Sequence, residues 1–254
     1  MTDIRVETSG KVATVTLDCQ PVNALTSALY VRLAEVFEAL GRELDVNCAI
    51  LASASGRAFC AGKDLKEFLA ATVEDDPRQA AIVRRTFTAI RTCAIPTIAA
   101  VNGPALGAGC VLAAVCDIRI ASDKASFGLP EINIGRCGGG AHVGRLVPQG
   151  ILRRMFFTGQ PLSAAEAYRV GLVDQLVPPG DLMATARALA ELIAAKSPLG
   201  LRTGKKALNE AQELSIEEGY RREQAYSTEL MNTADAREAT RAVVEKRPPV
   251  FQGR

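Results

Sequence analysis

The chain has 254 residues, 48% of them hydrophobic and 23% charged, which is enough apolar content for a sizeable core and excludes a disordered segment. Its formal charge of +2 arises from 30 basic residues scattered among 28 acidic ones, with no basic block to hold a nucleic acid. The start, Met-Thr-Asp-Ile-Arg-Val, carries no basic-then-apolar leader, and no run reaches the roughly 18 apolar residues of a membrane helix. The sequence therefore reads as a soluble cytoplasmic protein with neither membrane nor nucleic acid as partner. Seven cysteines form no CxxC pair and mostly sit in apolar runs, as small buried thiols in a reducing compartment do. His142 is the only histidine, so no metal site is expected, and any chemistry must rest on carboxylates, backbone dipoles or tyrosine.

In chain order, Ile4–Thr8 and Val12–Leu17 around Ser9-Gly10 predict a β-hairpin. Apolar residues at helical spacing from Thr26 to Leu40 predict a helix ending at Gly41. Cys48–Ala52 follows as a buried strand, and Asp64 with Glu67 predicts a capping box opening the next helix. A helix over 78–92, a strand over Ile95–Val101, a short helix ending near Cys116 and a strand over Ile118–Ala121 come next. This alternation predicts an α/β core with ligand-binding loops at the carboxyl ends of the strands. Helices over 181–196, 198–211, 215–231 and 234–245 predict a C-terminal helical subdomain that covers the site or joins subunits. The expected division is a core over 1–195 and a helical trimerisation or lid region over 196–254.

Two turns carry the functional signal. Gly107-Ala108-Gly109 follows one strand-like run and opens a helix, so the Ala108 N–H is expected to lack an intrahelical acceptor and to sit at the positive end of a helix dipole. Phe59-Cys60-Ala61-Gly62 can present the Ala61 N–H in the same way, and a pair of such donors suits a thioester oxygen becoming an enolate. The spacing of Gly103, Gly107 and Gly109 does not fit a dinucleotide turn. Cys60, among apolar neighbours, reads as a packed thiol rather than a nucleophile, and Asp64 as a helix cap. Glu131, between Pro130 and Ile132 and beside a string of glycines, is the carboxylate whose titration burial would raise toward the range of proton transfer.

Taken together, Arg57-Ala58-Phe59-Cys60-Ala61-Gly62-Lys63-Asp64-Leu65, Ile98–Gly103 with Ala105–Cys110, Cys116–Ala121 and Phe127–Glu131 resemble the crotonase (enoyl-CoA hydratase/isomerase) superfamily, and later blocks extend the match over nearly the whole chain. The resemblance implies a crotonase-like (ClpP/crotonase) α/β spiral of ββα units with C-terminal helices. It implies coenzyme A thioesters as substrates without a separate cofactor, and a homotrimer or dimer of trimers. It implies an oxyanion hole from the N–H groups of Ala61 and Ala108, and Glu131 as the second of two catalytic glutamates. It further implies a substrate-binding set of Ala58, Cys60, Gly62, Lys63, Asp64, Leu65, Gly107, Val111, Pro130 and Gly139.

The first glutamate position falls on Val111, on the face of the helix that leans back toward Ala108. Valine cannot hold or activate water. Hydration through Glu131 alone, a one-base double-bond shift, another enolate reaction such as decarboxylation or C–C cleavage, and acyl-CoA binding without catalysis all remain readings of the sequence. Asn133, Arg136, His142 and Tyr226 are the side chains from which help would come.

Overall fold

The computed structural model describes residues 2–254. Strands β1 (Thr2–Ser9) and β2 (Val12–Cys19) form the predicted hairpin, with Ser9 opposite Val12. The short β3 (Ala24–Leu25) feeds α1 (Ser27–Arg42), which Thr26 caps. Then come β4 (Cys48–Ser53), β5 (Gly62–Lys63), α2 (Leu65–Ala70), α3 (Asp76–Arg91), β6 (Thr97–Val101), β7 (Pro104–Leu106) and α4 (Ala108–Val115). The chain continues through β8 (Ile118–Ser122), β9 (Ser126–Gly128), a 3-10 turn over Pro130–Ile134, α5 (Gly140–Val143), α6 (Gln149–Thr158), β10 (Leu162–Ser163), α7 (Ala164–Arg169) and β11 (Gln175–Val177). Helices α8 (Leu182–Ala194), α9 (Pro198–Ala211), α10 (Ile216–Met231) and α11 (Ala234–Glu245) complete it.

The main sheet has the order β1-β2-β4-β6-β8-β11, parallel from β2 onward. Side-chain alternation sorts its strands between two apolar layers. Cys48, Ile50, Ile98 and Ala100 face α8 with its Ala186 and Ala190, whereas Ala49, Leu51, Ala99 and Val101 face the layer containing α1, α3 and α4. At roughly 1.5–3 kcal/mol for each large aliphatic side chain buried, this second layer holds the site helices in place. Smaller sheets, β10-β9-β7 and β3-β5, lie beside the main one and carry the two turns singled out above.

Two local expectations are corrected. Gly41 does not end α1, which runs to Arg42; a Cβ at Gly41 would lie 3.3 Å from the Ala94 amide nitrogen, so the glycine serves close packing against that turn. Asp64 caps α2 by accepting from the N–H groups of Lys66 (2.9 Å) and Glu67 (3.0 Å), but the Glu67 carboxylate does not close the box. It accepts instead from the N–H and hydroxyl of Ser27, both at 2.8 Å, which ties α2 to α1.

Helix α9 is pinned to the sheet by a buried lysine. Lys205 Nζ donates to the Ile95 carbonyl (3.0 Å) and pairs with Asp117 Oδ2 (2.7 Å), which also accepts from the N–H (2.7 Å) and hydroxyl (2.9 Å) of Thr97.

Candidate active site

The segment 59–64 runs between two neighbours. On one edge the N–H groups of Phe59 and Cys60 donate to the Pro104 carbonyl (3.0 and 3.2 Å), and the Leu106 N–H donates back to the Cys60 carbonyl (2.9 Å). On the other edge the Ala61 N–H donates to the Val22 carbonyl and the Asp64 N–H to the Leu25 carbonyl, each at 2.9 Å. The first of these bonds takes Ala61 out of the donor role expected for it. Lys63, paired with Leu25 across β3 and β5, follows Gly62, whose φ of +99° breaks the regular alternation of N–H directions after Ala61.

The two turns meet there. A Cβ on Gly62 would lie 3.0 Å from the Leu106 carbonyl oxygen and 3.5 Å from the Ala108 nitrogen, and one on Gly109 would fall on the Cys60 carbonyl, so glycine is what lets the backbones touch. Ala108 is the first residue of α4, and its N–H has no acceptor among the described residues. The Gly62–Lys63 segment and the Ala108 N–H thus meet where α4 begins.

Glu131 faces this pair from the 3-10 turn. Its Oε1 lies 2.8 Å from the position a Gly107 Cβ would take, and its Oε2 is buried with no hydrogen-bond partner among the described residues. Burial raises its titration above the usual carboxylate range, while a backbone hydrogen bond opposes the shift. An unpaired, partly desolvated carboxylate beside the free Ala108 N–H is equipped to move a proton.

Val111 is 2% exposed. A Cβ on Gly139 would meet Val111 Cγ2 at 2.8 Å and Leu129 Cδ2 at 2.7 Å, which puts the valine in an apolar wall formed with Leu129. Ala58 and Gly62 are buried, Pro130 and Gly139 half-buried, and Leu65 exposed on α2. The Cys60 thiol is fully enclosed, donates to the Asn23 carbonyl (3.1 Å) and is pushed up to about 12 by desolvation, so it is a packed thiol.

The side chains considered as helpers are engaged elsewhere or exposed. The Tyr226 hydroxyl donates to Glu210 (2.9 Å) within the C-terminal helices, and the His142 ring stands edge-on to Phe87 at 5.5 Å. Arg136 pairs with Asp76 (2.6 Å) and stacks over Phe68 (5.0 Å), and Asn133 is exposed. A cavity of about 730 Å³ between the end of α3 and α9, lined by residues including Arg91, Arg202 and Lys206, contains none of the predicted site residues.

This geometry sits in a chain whose residues 7–254 match the family model "Enoyl-CoA hydratase/isomerase". Its relatives include the short-chain-enoyl-CoA hydratase of Clostridium acetobutylicum, 34% identical over 97% of this chain and 96% of that protein. A (7aS)-7a-methyl-1,5-dioxo-2,3,5,6,7,7a-hexahydro-1H-indene-carboxyl-CoA hydrolase of Rhodococcus jostii is 39% identical over 86% of this chain and 85% of its own. The fold matches the crystal structure of an enoyl-CoA hydratase from Bacillus anthracis with a TM-score of 0.95, at 32% identity and 99% coverage of both chains. Sequence and fold agree over essentially the full length, and the chain belongs to the enoyl-CoA hydratase/isomerase family, as an enzyme of the hydratase/isomerase kind with the crotonase fold.

Proposed function

We propose that this chain hydrates 2-enoyl-CoA thioesters with Glu131 as its only acid/base. The thioester oxygen accepts from the N–H groups of Lys63 and Ala108. Water adds to C3 and gives a proton to the Glu131 carboxylate; the electron pair moves onto the thioester oxygen as an enolate; Glu131 then returns the proton to C2. Each backbone donor contributes about 3 kcal/mol to the developing oxyanion, so the pair supplies on the order of ten-thousand-fold in rate. Coenzyme A enters as part of the substrate, and no separate cofactor takes part in any step.

The observation that carries this reading is the Glu131 carboxylate, with Oε1 against Gly107 and Oε2 unpartnered, together with the free Ala108 N–H. The names of the hydratase relatives support it. Val111 favours a second reading, a double-bond shift between 3-enoyl and 2-enoyl esters, because moving one proton between carbons needs one carboxylate. Product analysis on both ester classes decides: hydration adds the mass of water to a 2-enoyl ester, whereas isomerisation leaves the mass of a 3-enoyl ester unchanged. Absence of turnover on both classes would overturn both readings.

In the same reading the enzyme works in the cytoplasm as a homotrimer or dimer of trimers, with residues 196–254 at the subunit contacts. Large apolar side chains exposed on the C-terminal helices, Leu208, Ile216, Met231, Val243 and Val244, support the assembly. Sedimentation in solution tests it, and a monomer would contradict it.

A further inference from the structure

The Glu131 carboxylate is not held in place by bonds of its own. Its Oε2 has no hydrogen-bond partner among the described residues. No residue of the 3-10 turn over Pro130–Ile134 is fully buried, and Ile132 and Ile134 face solvent. Hydrogen bonds in a 3-10 turn are poorly aligned, so the position of this one has to come from what it leans on.

It leans on the corner that joins α6 to β10. A Cβ on Gly159, the residue that ends α6, would lie 2.7 Å from Asn133 Nδ2, 2.8 Å from its Oδ1 and 2.9 Å from its Cγ, so the Asn133 amide rests on the bare α-carbon of that glycine. Gly159 has φ +64°, and its N–H donates to the Met155 carbonyl (3.0 Å), which fixes the corner to the helix. Two residues on, Pro161 meets the chain just ahead of the turn: a Cβ on Gly128 would lie 3.0 Å from the Pro161 Cβ. Leu162 then pairs with Phe127 across β10 and β9. The corner therefore grips the segment on both sides of Glu131, whose Oε1 meets Gly107 between them. The remaining restraint is Arg136, whose N–H donates to the Glu131 carbonyl (3.0 Å) and whose guanidinium pairs with Asp76 (2.6 Å). Both members of that pair are nearly half exposed, and exposed ion pairs are screened and weak, whereas a packing contact is not screened.

We infer that Asn133 is a positioning residue: its amide, seated on Gly159, sets where the 3-10 turn sits and so holds the Glu131 carboxylate against Gly107. The inference rests on the acid/base reading of Glu131 above. Because the amide rests on an α-carbon, the contact is one of shape, and a side chain of the same branched outline can replace it.

The test is steady-state kinetics of Asn133→Ala, Asn133→Leu and Glu131→Ala, each with crotonyl-CoA and with a 3-enoyl-CoA ester. Asn133→Ala removes the stop and is expected to lower kcat about tenfold with KM within about twofold, since the base is misplaced while the thioester site is untouched. Its acid limb of kcat/KM should move down toward the usual glutamate range, as the carboxylate gains water. Asn133→Leu keeps the outline and is expected to hold kcat within about threefold of the wild type. A kcat for Asn133→Ala within about twofold of the wild type, or an equal loss in Asn133→Leu, would overturn the positioning role while sparing Glu131. Unchanged turnover in Glu131→Ala would overturn the acid/base reading and this inference with it.

Discussion

The carboxylate of Glu131 rests against the α-carbon of Gly107: Oε1 lies 2.8 Å from where a methyl group on that glycine would sit. Gly107 has φ +54° and ψ −121°, a conformation that favours glycine, and it immediately precedes the Ala108 donor. One residue thus sets the direction of the Ala108 N–H and the space for the Glu131 carboxylate. Gly107→Ala is expected to lower kcat/KM at least 100-fold by misplacing both, with circular dichroism showing the fold retained. Steady-state kinetics on a 2-enoyl-CoA ester checks it, and a loss below about threefold would contradict the account.

The division between Ala61 and Lys63 is testable atom by atom. Replacing the Lys63 amide by an ester removes its N–H and should cost about 100-fold in kcat, the value of one oxyanion donor. The same replacement at Ala61 removes the hydrogen bond to Val22 and should lower stability by roughly 1 kcal/mol while sparing kcat. Comparable kinetic losses at both positions would contradict the assignment.

Burial raises the titration of Glu131, so its ionised form is disfavoured in the folded chain. Below the unfolded value both states are protonated and stability is unaffected. As pH rises from there through the elevated folded value, the folded state holds the extra proton and stability falls. Glu131→Gln should therefore be more stable than the wild type at neutral pH and lose that advantage at pH about 4. Denaturant titrations at the two pH values measure it. The acid limb of kcat/KM should likewise fall above the usual glutamate range.

Lys205 links α9 to the start of β6 through Asp117 and the Ile95 carbonyl. Lys205→Met removes the cation from Asp117, which is partly solvated and keeps its bonds from Thr97, and leaves the Ile95 carbonyl without its donor, so it should cost about 1–2 kcal/mol in urea unfolding. A change below about 0.5 kcal/mol would show that the pair does not hold the C-terminal helices.

Much of this architecture was legible in the sequence because it depends on local chemistry. The hairpin around Gly10, the strand-to-helix turn at Gly107 and the terminal helices follow from periodicity and turn residues. That the Ala61 N–H is taken up by the Val22 carbonyl was not legible, because it depends on how two strands of two residues each pair across the fold. Glu67 was assigned to its own helix cap because local spacing cannot reveal Ser27 across the fold.

The claim that a single carboxylate carries the chemistry is tested most directly by the turnover of Glu131→Ala on crotonyl-CoA, with ester binding measured in parallel. The account predicts a loss of roughly two to four decades in kcat with binding nearly intact. Unchanged turnover would contradict it.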